Sequence, residues 1–285
     1  MCTARPRRID VWFAAVIAIA LLAATGLQAA PTKARGAKDS GKIGMVIVYA
    51  GGPDSPEVKK LIDQLLTYVA QQTGIDPANM TGAYFNDAKA TLDHLKANRD
   101  SFILGSLGLY LSQRKALSLL PLAKLRYAGD GEERYYLMVR KGRYHAIDEL
   151  KGKTLSGNTL FEDHRFLSRV VFGGRLDVPT YFDLKPTGRP LSAVKKVAAD
   201  EMDAVLLNQV QYESLVRIPL ADKVETIFTS EPMPPLGFMV LDTPKTRPVK
   251  DKVLKAVTDM CASTDGKAVC NNFGISGFDP LQPGV

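Results

Sequence analysis

The sequence predicts an α/β protein of two lobes, in which each lobe is a mostly parallel sheet flanked by helices. From Lys42 onward, apolar strand-like runs alternate with amphipathic helical segments, as in sheets whose parallel strands are joined by right-handed crossovers. The alternation restarts near residue 140, and about 245 ordered residues exceed the usual size of one domain. We therefore expect residues 42–136 and 224–285 to form lobe one, and residues 137–223 to form lobe two.

The elements of the first half follow from apolar spacing and turn residues. The run Ile43–Ala50 is apolar throughout, as in a strand that is buried on both faces. After Ser55-Pro56, apolar residues recur every three or four positions from Val58 to Val69, which predicts a helix. The elements expected next are strand Thr81–Phe85, helix Asp87–Asn98, strand Phe102–Leu104, a helix from Gly105-Ser106 through Leu111, and strands Leu125–Ala128 and Tyr135–Arg140 around the turn Gly129-Asp130-Gly131.

The second half repeats the same alternation. The expected elements are strand Thr154–Ser156, helix Glu162–Phe172, strand Thr180–Leu184, helix Leu191–Ala199, strand Ala204–Leu207, helix Gln209–Val216, strands Val224–Thr229 and Gly237–Leu241, and helix Val249–Cys261. Period-three and period-four apolar spacing distinguishes the helices, and short apolar runs that are bounded by Gly, Pro or polar residues distinguish the strands.

The pattern of the N-terminal segment predicts a secretory signal peptide. Arginines at positions 5, 7 and 8 precede the apolar run Val11–Ala24, and small residues follow at Ala29-Ala30. The run is shorter than the roughly 20 residues of a membrane span, although an uncleaved anchor remains an alternative. We expect cleavage after Ala29, a disordered segment over residues 30–41, and a periplasmic mature protein.

Charge gives no sign of a nucleic-acid partner. The formal charge of +7 falls to +5 without residues 1–29, because that segment carries three Arg and one Asp. The remaining excess is spread along the chain, and its one dense block lies in the leader between Lys33 and Lys42. Nucleic-acid binding requires clustered Lys and Arg on the fold, so we exclude it.

Two cysteines remain after removal of Cys2 with the signal peptide. In an oxidising compartment Cys261 and Cys270 are expected to pair, because the intervening turn at Ser263 separates two helical segments. The spacing matches neither a redox motif nor a zinc motif, so we expect this disulfide to be structural.

Polar residues at four predicted helix starts are the candidate ligand site. In parallel α/β sheets, ligands lie beyond the carboxyl ends of the strands, where helix N-termini present free N–H groups. Each polar residue could also be only a helix cap, Arg189 could be a solvated helix-start residue, and the two tyrosines could be lobe packing. The candidate residues are Tyr49, Ser106, Tyr110, Asn158, Thr159, Thr187, Arg189 and Asn208.

Catalytic patterns are missing from the sequence. The three histidines, at positions 94, 145 and 164, fall in separate segments, and no pair has metal-ligand spacing. There is no nucleophile elbow, zinc-protease motif or phosphate-binding loop of an NTPase. Glu162, Asp163 and His164 open a predicted helix that could enter the cleft, but we expect them on a solvated face. We therefore predict a protein without enzymatic activity, metal or cofactor.

Several motifs between residues 42 and 281 resemble the periplasmic solute-binding proteins of ABC transporters, in the phosphate/phosphite/phosphonate class. The motifs are the opening strand, Leu120-Pro121-Leu122-Ala123, Tyr135-Tyr136, Asp148-Glu149-Leu150-Lys151-Gly152-Lys153-Thr154, Met202-Asp203-Ala204, Pro234-Pro235, Asp265-Gly266-Lys267 and Gly277-Phe278-Asp279-Pro280. The resemblance implies the type II periplasmic-binding-protein fold, with a ligand in the cleft between the lobes. It also implies a membrane permease as partner.

Two turns depart from that family's pattern. The segment Ser156-Gly157-Asn158-Thr159 has fewer hydroxyls than the family's Ser/Thr-rich turn, and Thr187-Gly188-Arg189 stands where the family often has Gly-Ser-His. We expect a monomer that captures a small anionic solute, phosphate-like or phosphonate-like, by rotation about segments near 133–140 and 221–229. The alternative is a sensory or scaffold subunit of the same fold. An arginine at 189 could bind an anion through two hydrogen bonds.

Overall fold

A computed structural model describes residues 42–52, 55–127, 132–235 and 237–281. The expected signal peptide and the segment 30–41 lie outside these residues, as does the turn expected at 129–131. Within the described ranges, no helix combines the length and apolarity that a bilayer crossing requires.

The described residues contain eleven strands and nine α-helical segments. The strands are β1 Ile43–Val48, β2 Met80–Phe85, β3 Ser101–Gly105, β4 Leu119–Tyr127, β5 Tyr135–Arg140, β6 Thr154–Gly157, β7 Asp183–Pro186, β8 Ala204–Asn208, β9 Val224–Thr229, β10 Gly237–Leu241 and β11 Ile275–Pro280. The helices are α1 Pro56–Thr73, α2 Ala88–Ala97, α3 Leu107–Leu117, α4 His164–Phe166, α5 Val178–Tyr181, α6 Pro190–Ala198, α7 Gln209–Leu215, α8 Lys250–Asp259 and α9 Thr264–Phe273.

Lobe one is built on a six-stranded sheet in the order β11-β4-β10-β3-β1-β2. All six residues of β1 are buried, in agreement with its apolar sequence and its position between β3 and β2. Helices α1, α8 and α9 contribute to the core on one face of the sheet, where Phe102 and Val253 are fully buried. Residues of α2 and α3, such as Leu95 and Leu117, pack on the other face.

Lobe two is built on a five-stranded sheet in the order β7-β6-β8-β5-β9. One face is covered by a cluster that includes Leu150, Leu167 and Phe172, and the other by α6 and α7. The two sheets are mixed rather than mostly parallel, since two of five pairs in the first and two of four in the second are parallel. The strands that run opposite to the others are β5 in the second sheet and β10 and β11 in the first.

The chain passes between the two sheets at positions that differ from the predicted lobe boundaries. Strand β9 pairs with β5 at the edge of the second sheet, so residues 224–229 belong with lobe two, although the sequence placed them in lobe one. The chain therefore passes between the sheets before Tyr135 and again between Thr229 and Gly237. An isolated antiparallel bridge joins Glu133 to Met233 at this crossing. Of the hinge expected near 221–229, residues 224–229 lie in the paired strand β9.

Two other predicted elements have different bounds in the structure, and one strand was not predicted. The helix expected over Glu162–Phe172 is interrupted, because α4 ends at Phe166 and a π-helical turn follows over Leu167–Val171. The strand expected over 180–184 begins at Asp183, since the Pro179 ring favours the first turn of the short helix α5. Strand β11 was not anticipated, because its sequence ISGFDP carries little strand signal and is paired only by distant β4.

The disulfide between Cys261 and Cys270 is confirmed. The two Cα atoms are 5.5 Å apart, and the bond links the one-turn 3-10 helix at Met260–Ala262 to α9. Ser263 separates them and caps α9 by accepting a hydrogen bond from the Gly266 amide at 3.0 Å. The bond therefore closes a tight corner in the core of lobe one.

Removal of this disulfide is expected to lower the free energy of unfolding by about 2–3 kcal/mol. The constraint on the unfolded chain is lost, and the closed loop spans only nine residues of sequence separation. Urea unfolding of the Cys261→Ala/Cys270→Ala double variant measures this effect. Wild-type protein unfolded in reductant is the control, because it loses the bond and keeps both side chains. Equal midpoints for oxidised and reduced wild type would contradict the expectation.

Candidate functional site

A small cavity of about 50 Å³ lies between the lobes, at the carboxyl ends of β1 and β3. Both lobes and the crossing segments line this inner cavity. Its lining residues are Val48, Tyr49, Ala50, Ser106, Leu107, Glu133, Tyr135, Glu162, Asn208, Met233, Pro234 and Pro235. The position is the one where open α/β sheets bind ligands, because helix N-termini meet there.

The N-terminus of α3 is covered by a carboxyl group from the other lobe. Ser106 caps this helix by accepting a hydrogen bond from the Leu109 amide at 3.0 Å, and its hydroxyl donates to Glu162 Oε2 at 2.8 Å. Gly108 makes this approach possible, because a Cβ atom there would lie 2.6 Å from the same oxygen. The positive end of the helix dipole therefore faces a carboxyl group of the protein itself.

Two glutamates of the inner cavity have strongly raised pKa values. Burial raises the pKa of Glu133 to about 7, the nearby Glu162 and Glu213 add to the effect, and a hydrogen bond from the Gln209 amide opposes it. Burial likewise raises the pKa of Glu162 to about 7, against the Ser106 hydrogen bond. Both groups therefore exchange protons near neutral pH, and each is disposed to accept a proton or a positive charge.

Tyr49 links lobe one to a polar network of lobe two. Burial of its hydroxyl raises the pKa of Tyr49, and hydrogen bonds to Asn158 and Gln211 partly offset that effect. Gln211 Nε2 donates to Asn158 Oδ1 at 2.8 Å, and Gln211 Oε1 accepts from the Asn208 amide at 3.2 Å. Asn208 in turn caps α7 by accepting from the Gln211 amide at 3.0 Å. The capping residues of α7, Asn208 and Gln211, therefore belong to the network that connects the two lobes.

The lobes touch closely at Gly51. This residue has a φ of +64°, and a Cβ atom there would lie 2.4 Å from the Phe161 ring of lobe two. A Cβ atom on Gly188 would lie 3.1 Å from the Gly51 carbonyl oxygen. Small residues on both sides thus allow the backbones of the two lobes to approach each other.

The structure brings together only some of the predicted site residues. Tyr49, Ser106 and Asn208 line the inner cavity, and Asn158 contacts Tyr49 across the cleft. Tyr110 instead packs on the core of lobe one. Thr159 Oγ1 donates to the Leu206 carbonyl within lobe two, and Thr187 Oγ1 accepts from the Arg189 amide. Arg189 is exposed and does not line the inner cavity.

Three residues of the site were missed by the sequence reasoning. Glu162 was expected on a solvated helix face, but it lines the inner cavity because lobe one covers it. Glu133 gave no signal, since it lies in the crossing segment just before β5. Gln211 could have been found, because a Gln three residues after Asn208 is the pattern of a capping box.

Two wider pockets continue from the inner cavity along the cleft. The first, the middle pocket of about 120 Å³, shares Ser106 and Glu162 with the inner cavity and is also lined by Asp87 and Asp163. No group of three or more His, Cys, Asp or Glu with metal-binding geometry occurs among the described residues. The arrangement can bind a solute through hydrogen bonds, and the Ser106 hydroxyl that contacts Glu162 also serves as the cap of α3.

Comparison with known proteins supports the assignment of the fold. A family model described as the phosphonate periplasmic substrate-binding protein of ABC transporters matches residues 52–284. A protein from Xanthomonas citri, solved with bound chloride, is 16% identical with a TM-score of 0.69, over 86% of this chain and 93% of that one. The binding-protein component of an ABC phosphonate transporter from Pseudomonas aeruginosa is 15% identical, with a TM-score of 0.63, over 84% and 82%.

A third similar structure is PhnD1 from Prochlorococcus marinus, solved in complex with methylphosphonate. It is 12% identical with a TM-score of 0.61, over 85% of this chain and 93% of that one. At these identities the three structures show a shared fold, and the predicted two-lobed α/β architecture is confirmed. No curated protein matches the sequence.

Proposed function

Because the chain belongs to the family of periplasmic substrate-binding proteins of phosphonate ABC transporters, we propose that it captures a small phosphonate-like solute for a membrane permease. Proteins of this family bind a solute and are not enzymes. The observation that carries the proposal is the inner cavity, which both lobes line and into which the caps of α3 and α7, Ser106 and Asn208, project. A solute held there would favour the closed arrangement of the lobes.

The two glutamates constrain how an anion would bind. A phosphonate near the N-terminus of α3 would approach Glu162, whose carboxylate form repels it and whose protonated form donates a hydrogen bond. Binding of an anion at this end is therefore coupled to proton uptake by a group with a pKa of about 7. A ligand with an ammonium group is the second candidate, because Glu133 and Glu162 would stabilise a positive charge as carboxylates.

The pH dependence of binding distinguishes the two candidates. If an anionic group enters the inner cavity, its association constant is expected to rise about tenfold from pH 8 to pH 6, because the fraction of protonated Glu162 rises by that factor. An ammonium group predicts the reverse slope. Isothermal titration with methylphosphonate, phosphate and 2-aminoethylphosphonate at pH 6 and pH 8 measures the association constants.

The Glu162→Gln variant is the control for these titrations. The ligand itself titrates in the same way with both proteins. The difference between the pH dependences of their association constants therefore reports the Glu162 side chain alone. Equal slopes for both proteins would mean that no ligand group approaches Glu162. Absence of binding by all three compounds would contradict the proposed solute class.

Export and partnership with a permease are part of the same proposal. The basic and apolar N-terminal pattern supports export, with a mature chain that begins at Ala30. Intact mass of the protein purified from the periplasm tests this start. Stimulation of an ABC permease's ATPase activity in proteoliposomes tests the partnership, whereas stable association with a signalling kinase instead would favour a sensory subunit.

A further inference from the structure

Beyond the middle pocket, the cleft widens into a groove that carries three arginines. This arginine groove has a volume of about 320 Å³ and is lined from lobe one by Arg114 of α3 and from lobe two by Arg165 and Arg169. Arg165 belongs to α4, and Arg169 belongs to the π-helical turn that follows. Two separate lobes therefore present guanidinium groups to one space.

The charge of the arginine groove is not balanced by its own residues. Asp163 is the only acidic residue among those that line it, and Asp163 Oδ2 lies 3.4 Å from an Arg165 guanidinium nitrogen. Within the described chain, Arg114 and Arg169 form no ion pair, and Arg114 lies 6.0 Å from the centre of the Tyr110 ring. All three arginines are exposed. The groove therefore keeps an excess of positive charge that a solute can reach.

The arginine groove is continuous with the proposed site. It shares Ser112 and Asp163 with the middle pocket, which in turn shares Ser106 and Glu162 with the inner cavity. The inner end of the cleft is thus acidic and the outer end is basic. Apolar side chains of Leu111, Phe166 and Val170 form part of the outer wall. A solute with an organic substituent can contact this wall.

We propose that the arginine groove binds the phosphoryl group of an organic phosphonate or phosphate ester, through guanidinium groups from both lobes. The proposal rests on the proposed function and assigns the anionic end of the solute to the outer part of the cleft. Guanidinium groups bind phosphoryl oxygens through paired hydrogen bonds, which a lysine does not supply. A solute that bridges Arg114 to Arg169 binds the closed arrangement better than the open one, so it drives closure.

The π-helical turn contributes to this geometry. The Phe172 amide donates to the Leu167 carbonyl at 2.9 Å, five residues earlier, so the turn is wider than an α-helical one. Such turns are found frequently at functional sites. Here the widened turn carries Arg169, which an uninterrupted α-helix would place differently relative to Arg165.

Isothermal titration with phenylphosphonate at low salt tests the proposal. The Arg114→Ala and Arg169→Ala variants are each expected to bind about tenfold more weakly or worse, and their double variant more weakly still. Arg175→Ala is the matched control, because it removes the same charge from an exposed residue of lobe two that does not line the groove. Its affinity should stay within about twofold of wild type.

Titration of Ser106→Ala separates this proposal from the proposed function. If Ser106→Ala weakens binding while both arginine variants bind like wild type, the phosphonate occupies the inner cavity and the arginine groove is not its site. Equal weakening by Arg114→Ala, Arg169→Ala and Arg175→Ala would mean a general charge effect and would also overturn the proposal. If wild type binds no phosphonate, both proposals fail together.

Discussion

At pH 8 the Glu133→Gln variant is expected to be more stable than wild type by about 2–3 kcal/mol. A pKa raised from 4.5 to about 7 corresponds to on the order of 3 kcal/mol of unfavourable free energy for the charged form in the folded state. Glutamine removes that charge and keeps the oxygen that accepts the Gln209 amide hydrogen bond at 3.1 Å. The side chain of Glu133 is 93% buried, so solvent screens the effect only weakly.

The sign of the pH dependence follows from the direction of these shifts. A group whose pKa is higher in the folded state stabilises the fold fully below its unfolded value, here about 4.5. That contribution is lost as the pH rises through about 7. Wild type should therefore lose stability between about pH 5 and pH 8, and Glu133→Gln should lose less over the same range. At pH 5 the two proteins should differ little.

Urea unfolding at pH 5, 6, 7 and 8 measures the difference between wild type and Glu133→Gln. Glu201→Gln is the control, because Glu201 is an exposed carboxylate of lobe two that lines none of the three cavities of the cleft. Parallel stability curves for wild type and Glu133→Gln would show that the cavity does not raise the pKa of this group. A stabilised variant that also binds its solute more weakly would show that the buried acid has been retained for binding.

The order of elements could be predicted from the sequence more completely than their pairing. Apolar runs such as β1 and amphipathic helices such as α1 are encoded locally, so spacing alone locates them. The direction of β9 and β10 and the position of β11 depend on residues far along the chain. The strand Val224–Thr229 was therefore located correctly but assigned to the wrong sheet.

In the candidate site, too, the residues with a local role could be predicted and those that depend on distant contacts could not. Ser106 and Asn208 cap helices, and the polar residue before a helix start is a local signal. Glu162 is covered by Ser106 and Gly108 of lobe one, which lie beside it only when the lobes meet. Arg189 was predicted as a site residue because it stands at a turn before a predicted helix. The arginines of the groove lie on α3, on α4 and on the π-helical turn, and they converge only in the folded chain.

Gly157→Ala is expected to be the most damaging small substitution in lobe two, with a loss of about 3–5 kcal/mol. Gly157 ends β6 with a φ of +142°, a conformation that residues with a Cβ atom rarely adopt. A Cβ atom there would lie 2.4 Å from the Leu206 carbonyl oxygen on the neighbouring strand β8. Because that oxygen is backbone, relief requires β6 to move away from β8.

Gly142→Ala is the matched control for this substitution. Gly142 also has a positive φ, +73°, but a Cβ atom there would meet no other atom within 4 Å. The control therefore incurs only the conformational cost of about 1–2 kcal/mol for its left-handed φ. The excess measured for Gly157→Ala reports the clash together with the less accessible φ of +142°. Thermal and urea unfolding of both variants give this difference. Asn158 follows Gly157 and contacts Tyr49, so displacement of β6 should also weaken solute binding. Equal losses in the two variants would mean that the strands β6 and β8 can separate at little cost.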